Sequence, residues 1–239
     1  MAAELEHVHP TRPTEKMLAA LASAVMRSGA DRWIRGAMLR TTRPTYTRTL
    51  RVVPSRLELP MLLNARHLLG TAVEVGVDEG VFSDYLLSWW RGSKLISVDA
   101  WLEMPADEYT DTCNTSQRSM EEKFEITSEL LAPHGERSEI RRELSVDAAA
   151  RFEPGSLDFV YLDARHDFEG VTEDLGAWFE KVRRGGLMAG HDYNDGVFVE
   201  GVHGVRSAVD SFFAARSIPV RHTYTDVPAA SWIVEIPPR

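Results

Sequence analysis

From Thr71 to Ile236 short apolar runs alternate with amphipathic stretches, and before Thr71 they do not. The runs cover 72–75, 94–99, 139–142, 157–163 and 187–191. Between them, apolar positions recur at helical spacing over 79–90, 117–132, 146–151 and 170–182. Strands that alternate with helices predict βαβ crossovers and a parallel sheet covered on both faces. A last helix over 204–216 precedes two strand-like pieces, 219–225 and 231–236. The gap around Asp226 and Pro228 is too short for a helical crossover, so these two should pair as an antiparallel hairpin at an edge. The expected fold is α/β, a Rossmann-like, doubly wound, seven-stranded and mostly parallel sheet with a C-terminal antiparallel hairpin.

The first 69 residues predict something else. The stretch 14–28 has an N-cap threonine and helical spacing that closes at Gly29. Residues 30–55 are rich in Arg and Thr, and 57–69 reads as a helix interrupted near Pro60. The chain therefore divides into a helical extension, 1–69, serving as a lid or homo-oligomer contact, and a catalytic domain, 70–239.

Composition narrows the classes. With 44% hydrophobic and 26% charged residues the chain is globular. The single cysteine, Cys113, excludes a disulfide framework and a zinc knuckle. Apolar runs of a few residues predict no membrane span, and the mixed polar N-terminus lacks a signal peptide, so a cytoplasmic protein is expected. Charge is uneven: residues 1–60 carry a net +5 and residues 61–239 a net −14. An acidic body argues against nucleic acid as partner. The expected partner is a small-molecule acceptor.

The first strand runs into Glu74-Val75-Gly76-Val77-Asp78-Glu79-Gly80 before a helix. Glycines at such a turn let the backbone approach a ligand. A dinucleotide loop has three glycines, and here the first of those positions is Glu74, which would repel pyrophosphate and suit a cation. That favours S-adenosylmethionine, with its ammonium and sulfonium groups, over a nicotinamide. Asp99, at the end of the second strand, suits ribose hydroxyls. Trp101 would flank the adenine or lie buried at the sheet rim, and Ser145 would stand on the adenine side. The fourth and fifth strands end in Asp163-Ala164-Arg165-His166 and His191-Asp192-Tyr193. A parallel sheet places both ends beside the glycine loop, so Asp163, His166, His191 and Asp192 share one cleft. Methyl transfer needs an aligned nucleophile and a route for its proton, through a base or a cation.

These residues resemble the class I S-adenosylmethionine-dependent methyltransferases, through E-x-G-x-x-x-G, the acid after the second strand and the closing hairpin. The string YLDARHDFEGVTEDLGAWFEKVRRGGLMAGHDY is similar to the group that includes macrolide-sugar O-methyltransferases. The resemblance, extended to metal-dependent catechol-type enzymes, implies Asp163 as first metal ligand, His191-Asp192 as the ligand pair, and His166 as a base that is neutral near pH 7. It implies a divalent ion, magnesium or manganese. His191 stands where the pattern has an acid, and imidazole is a poor magnesium ligand. Manganese, iron, nickel or zinc, a turned-away His191, or no metal are the alternatives. A metal-independent N-methyltransferase and a non-catalytic cofactor-binding protein are the rival readings. The remaining expectations are structural. Asp167, Glu169 and Asp174 should meet a helix dipole. Trp178 and Phe179 should pack in the core, and 183–186 should close a helix with a glycine turn. The polar stretch 101–120, with Tyr193 and Asn194, should shape the acceptor site.

Overall fold

The computed structural model describes residues 53, 55–105, 109, 111–198, 201–226 and 229–237. All belong to one compact unit, Tyr46–Arg239; a second unit, Met1–Thr45, lies outside the described residues. The helix expected over 14–28 lies there too, as does most of the basic leader.

A short 3₁₀ turn, Arg56–Glu58, leads into helix α1, Leu59–Ala65. Pro60 sits in the first turn of α1, where its missing N–H costs nothing, so it starts this helix and does not interrupt one. There follow β1 (Thr71–Val75), α2 (Val81–Trp89), β2 (Lys94–Asp99), α3 (Gln117–Leu131), β3 (Ser138–Arg142) and α4 (Ser145–Ala150). The chain continues through β4 (Leu157–Leu162), α5 (Phe168–Phe179), β5 (Val182–Gly190), β6 (Asp195–Val197) and β7 (Val202–Gly204). It closes with α6 (Val205–Ala214), β8 (Arg221–His222) and β9 (Trp232–Glu235).

Seven strands form one sheet in the order β3-β2-β1-β4-β5-β9-β8. The first five are parallel, and β9 runs antiparallel to both β5 and β8. The expected sheet and its terminal hairpin are both present. The central strand β4 is buried at every position, as a strand covered on both faces must be. On one face Val73, Val75 and Val160 pack with Leu175 and Trp178 of α5 and Phe213 of α6. On the other lie Ala72, Glu74 and Tyr161, with Phe82 of α2 against the Tyr161 ring at 4.5 Å between centroids. No helix among the described residues is long and apolar enough to cross a membrane.

Two local expectations are corrected, and one element was not expected. Arg183-Arg184-Gly185-Gly186 is not a helix end: α5 stops at Phe179, and these residues lie inside β5, where the pairing with β4 shifts register. Asp174 does not meet the helix dipole, because it lies beyond the first turn of α5 and is buried; Asp167 does, capping Gly170 N at 2.8 Å. The β6–β7 hairpin has no counterpart in the apolar pattern, since its strands are only three residues long.

Register sets the site. Val75 pairs with Val98 and with Leu162, and Leu162 with Gly190. The residues that follow, Gly76, Asp99, Asp163 and His191, therefore all emerge at the carboxyl edge. Strand order reverses between β1 and β4, which opens a crevice there.

Candidate active site

The β1–α2 turn is built on close backbone approach. Gly76 has φ +83°, and a Cβ on it would stand 2.0 Å from the Asp163 carbonyl oxygen. Gly80 has φ +77° and caps α2 in the left-handed region. Asp99 Oδ2 accepts from Val77 N (2.8 Å) and Asp78 N (3.1 Å), while Oδ1 accepts from Trp101 N (2.8 Å). Trp101 is buried, packs on Phe124 and donates its indole N–H to Asp78 O. It thus forms a wall beneath the turn. Glu74 also lies beneath: it is 1% exposed and accepts from the Ser83 hydroxyl of α2, which in turn meets Ser97 Oγ at 2.6 Å. Its carboxylate faces Ser83 and ties α2 to the sheet. Ser145 is likewise committed, donating to Asp174 and accepting from Trp178 Nε1 at 2.9 Å.

At the ends of β4 and β5 the four expected residues meet. One donor atom each from Asp163, His191 and Asp192 lies within 4.8 Å of the other two. His191 Nδ1 stands 3.1 Å from Asp192 Oδ2 and 3.9 Å from Asp163 Oδ1. His166 Nε2 is 3.1 Å from that same Asp192 oxygen, and its Nδ1 is 2.8 Å from Asp111 Oδ2. Burial opposes charge on His166, but the bonds to Asp111 and Asp192 override it and push its pKa up to about 10. Two flanking carboxylates thus favour the charged imidazole over the neutral one expected from the sequence. Asp192 resists burial in the same way and is held well below the usual carboxylate range by His166 and His191. Asp163 goes the other way, raised by burial although His191 and Arg56 counter it.

A family profile described as "Methyltransferase domain" matches residues 73–193, half the chain and every strand end just described. This chain belongs to that methyltransferase family. Its resemblance to the class I enzymes is borne out by this match and by the sheet. An O-methyltransferase from Bacillus cereus, solved in complex with S-adenosylhomocysteine (SAH), is similar at 16% identity and a TM-score of 0.54, over 89% of this chain and 97% of that one. The O-methyltransferase TomG from Streptomyces achromogenes, solved with S-adenosylmethionine, is similar at 18% identity and a TM-score of 0.54, over 76% and 79%. At such identities the likeness is one of fold. No curated protein matches the sequence.

Three further residues of this methyltransferase reach the cleft and were not legible in its sequence. Arg56 Nη1, from the turn before α1, lies 3.4 Å from Asp163 Oδ2. His203, on β7, stacks on His166 with centroids 4.6 Å apart, and its Nδ1 meets Asn194 Oδ1 at 2.9 Å. Asp111 comes from the polar connection after β2. Each arrives from a segment without strand or helix periodicity, so no spacing rule could place it. Asn194, expected to line the acceptor pocket, holds His203, and the Tyr193 hydroxyl donates to Asp210.

The buried Glu74 gives the methyltransferase a testable pH dependence. Burial lifts its pKa from the ordinary carboxylate range to about 8, against the Ser83 bond. The folded state then binds the proton more tightly than the unfolded one, so stability falls as pH rises from the unfolded pKa to about 8. Glu74→Gln removes that titration. Its advantage over the parent in chemical denaturation should widen between pH 5 and pH 8 and level off above. A gap that stays constant across the series would show Glu74 to be ionised in the fold.

Proposed function

We propose that this methyltransferase moves a methyl group from S-adenosylmethionine to a hydroxyl of a small molecule, a sugar or polyketide-type natural product, with a divalent ion at Asp163, His191 and Asp192. The observation that carries the reading is the convergence of one imidazole and two carboxylates within 4.8 Å, beside the glycine turn. Gly76 and Gly80 shape the turn through their left-handed backbone, and Asp99, at the end of β2, would meet ribose hydroxyls. The Bacillus and Streptomyces neighbours, solved with SAH and S-adenosylmethionine, support this cofactor.

One nitrogen and two oxygens suit manganese, iron or zinc better than magnesium. Such an ion, when bound, lowers the pKa of a coordinated hydroxyl. The chain's own part is to orient and to take a proton. As the acceptor oxygen bonds to the methyl carbon and the sulfonium–methyl bond breaks, the hydroxyl proton passes to His166 Nε2. Asp192 is shared between His166 and His191, so a carboxylate neutralised by a cation holds the His166 proton less tightly.

A second reading, metal-independent N-methylation, is favoured by one contact. Arg56 beside Asp163 supplies a positive charge where an ion would otherwise be wanted. A panel of hydroxyl and amine acceptors, followed by mass detection of one added methyl, separates the two. The expected result is methylation of a hydroxyl acceptor that stops on chelation and returns with manganese. Chelator-insensitive methylation of amines alone would establish the second reading.

A further inference from the structure

The connection from β2 to α3 is longer than the sheet requires, and its described part is held by a side-chain staple. Asn114 Nδ2 donates to Met104 O (2.9 Å) and Tyr109 O (3.0 Å), and its Oδ1 accepts from Met104 N (2.8 Å). Three residues earlier, Asp111 bridges Gly201 at the β6–β7 hairpin through its backbone. The Asp111 side chain is 2% exposed; Oδ1 accepts from Cys113 N at 2.7 Å and Oδ2 faces His166 Nδ1 at 2.8 Å. The opposite ring nitrogen, Nε2, faces the Asp163–His191–Asp192 cluster.

We propose that Asp111 is a positioning residue, which accepts the Nδ1 proton of His166 and so aims Nε2 at the acceptor hydroxyl. This rests on the methyl-transfer reading above. An imidazole has two nitrogens, and only the one without a proton acts as base. A buried carboxylate on Nδ1 fixes that choice, holds the ring plane and stabilises the imidazolium formed when the acceptor's proton arrives. The proton stays on His166, so Asp111 remains a carboxylate throughout. His203, stacked on the ring and held by Asn194, limits its tilt. The polar connection thereby carries the orienting partner of the base, seated by Asn114 and Gly201.

The test has one arm that needs no turnover. In the full chain labelled with ¹⁵N-histidine, a hydrogen-bonded imidazole N–H resonance is expected downfield, lost in both His166→Ala and Asp111→Ala and kept in Thr112→Ala, a change at an exposed neighbour. In the kinetic arm, Asp111→Asn should lower kcat about 100-fold or more. The KM for S-adenosylmethionine and for the acceptor found in the panel should stay at the parent values. Absence of the resonance overturns the inference. So does a parental kcat in Asp111→Asn, or a fall in kcat that merely follows a loss of folded protein. Uptake of a second divalent ion, abolished by His203→Ala and kept in Asp163→Ala, also overturns it, because Nδ1 would then hold a metal. A parent chain that shows the resonance yet methylates nothing refutes the methyl-transfer reading, while the hold of Asp111 on His166 stands.

Discussion

Replacing His166 by alanine is expected to lower kcat for methyl transfer by about 100- to 10,000-fold, the range that a positioned proton acceptor contributes. The reason is geometric. His166 reaches Asp192 with one nitrogen and Asp111 with the other, so it stands between the ligand cluster and the polar connection. Cofactor affinity should hold, because the glycine turn and Asp99 belong to other strand ends. SAH binding by calorimetry checks this directly. The variant also removes the imidazole from between two carboxylates, and Asp111 and Asp192 then lose a hydrogen-bonding partner. A modest loss of stability is therefore expected beside the loss of rate, and His166→Gln, which keeps a hydrogen-bonding side chain, should recover stability without recovering kcat. Parental turnover in both variants would remove His166 from the mechanism.

Gly76→Ala should be among the most damaging single methyl groups in the described fold. At φ +83° an L-residue is strained by about 1–2 kcal/mol. The added Cβ would also lie 2.0 Å from the Asp163 carbonyl, a backbone atom that cannot turn aside. Forcing β1 and β4 apart there costs a further ~1–3 kcal/mol, as overpacking does elsewhere. The same shift displaces Asp163 from His191 and the turn from its ligand. Both the melting temperature and the rise that SAH produces should fall sharply. Gly176→Ala is the control: it lies exposed on α5 with nothing within 4 Å of the new Cβ, and alanine there should stabilise by ~0.5–1 kcal/mol. A Gly76→Ala chain with parental melting and a parental response to SAH would refute the close-approach account.

Much of the site is legible in the sequence alone. Asp163, His166, His191 and Asp192 fall in one cleft because parallel strands deliver their carboxyl ends to one edge, whatever the loops do. Glu74 shows where this reasoning stops. Its place in the glycine motif suggested a ligand contact, yet strand alternation turns it away from Val73 and Val75, toward Ser83 beneath α2. Ser145, at the start of α4, is satisfied by Asp174 and Trp178 instead of an open rim.

By itself the sequence determined the order and type of the strands and helices of the main sheet, the closing hairpin and the four residues at two strand ends. These follow from local periodicity and from the constraint that a parallel sheet places on its crossovers. Only the tertiary structure decided which groups neutralise which. Asp111, Arg56 and His203 come from non-periodic segments far apart in the chain, and their meeting at His166 and Asp163 depends on how turns fold back over the sheet. The surroundings of His166 were set there as well, since two carboxylates flank it and favour its charged form against the cost of burial.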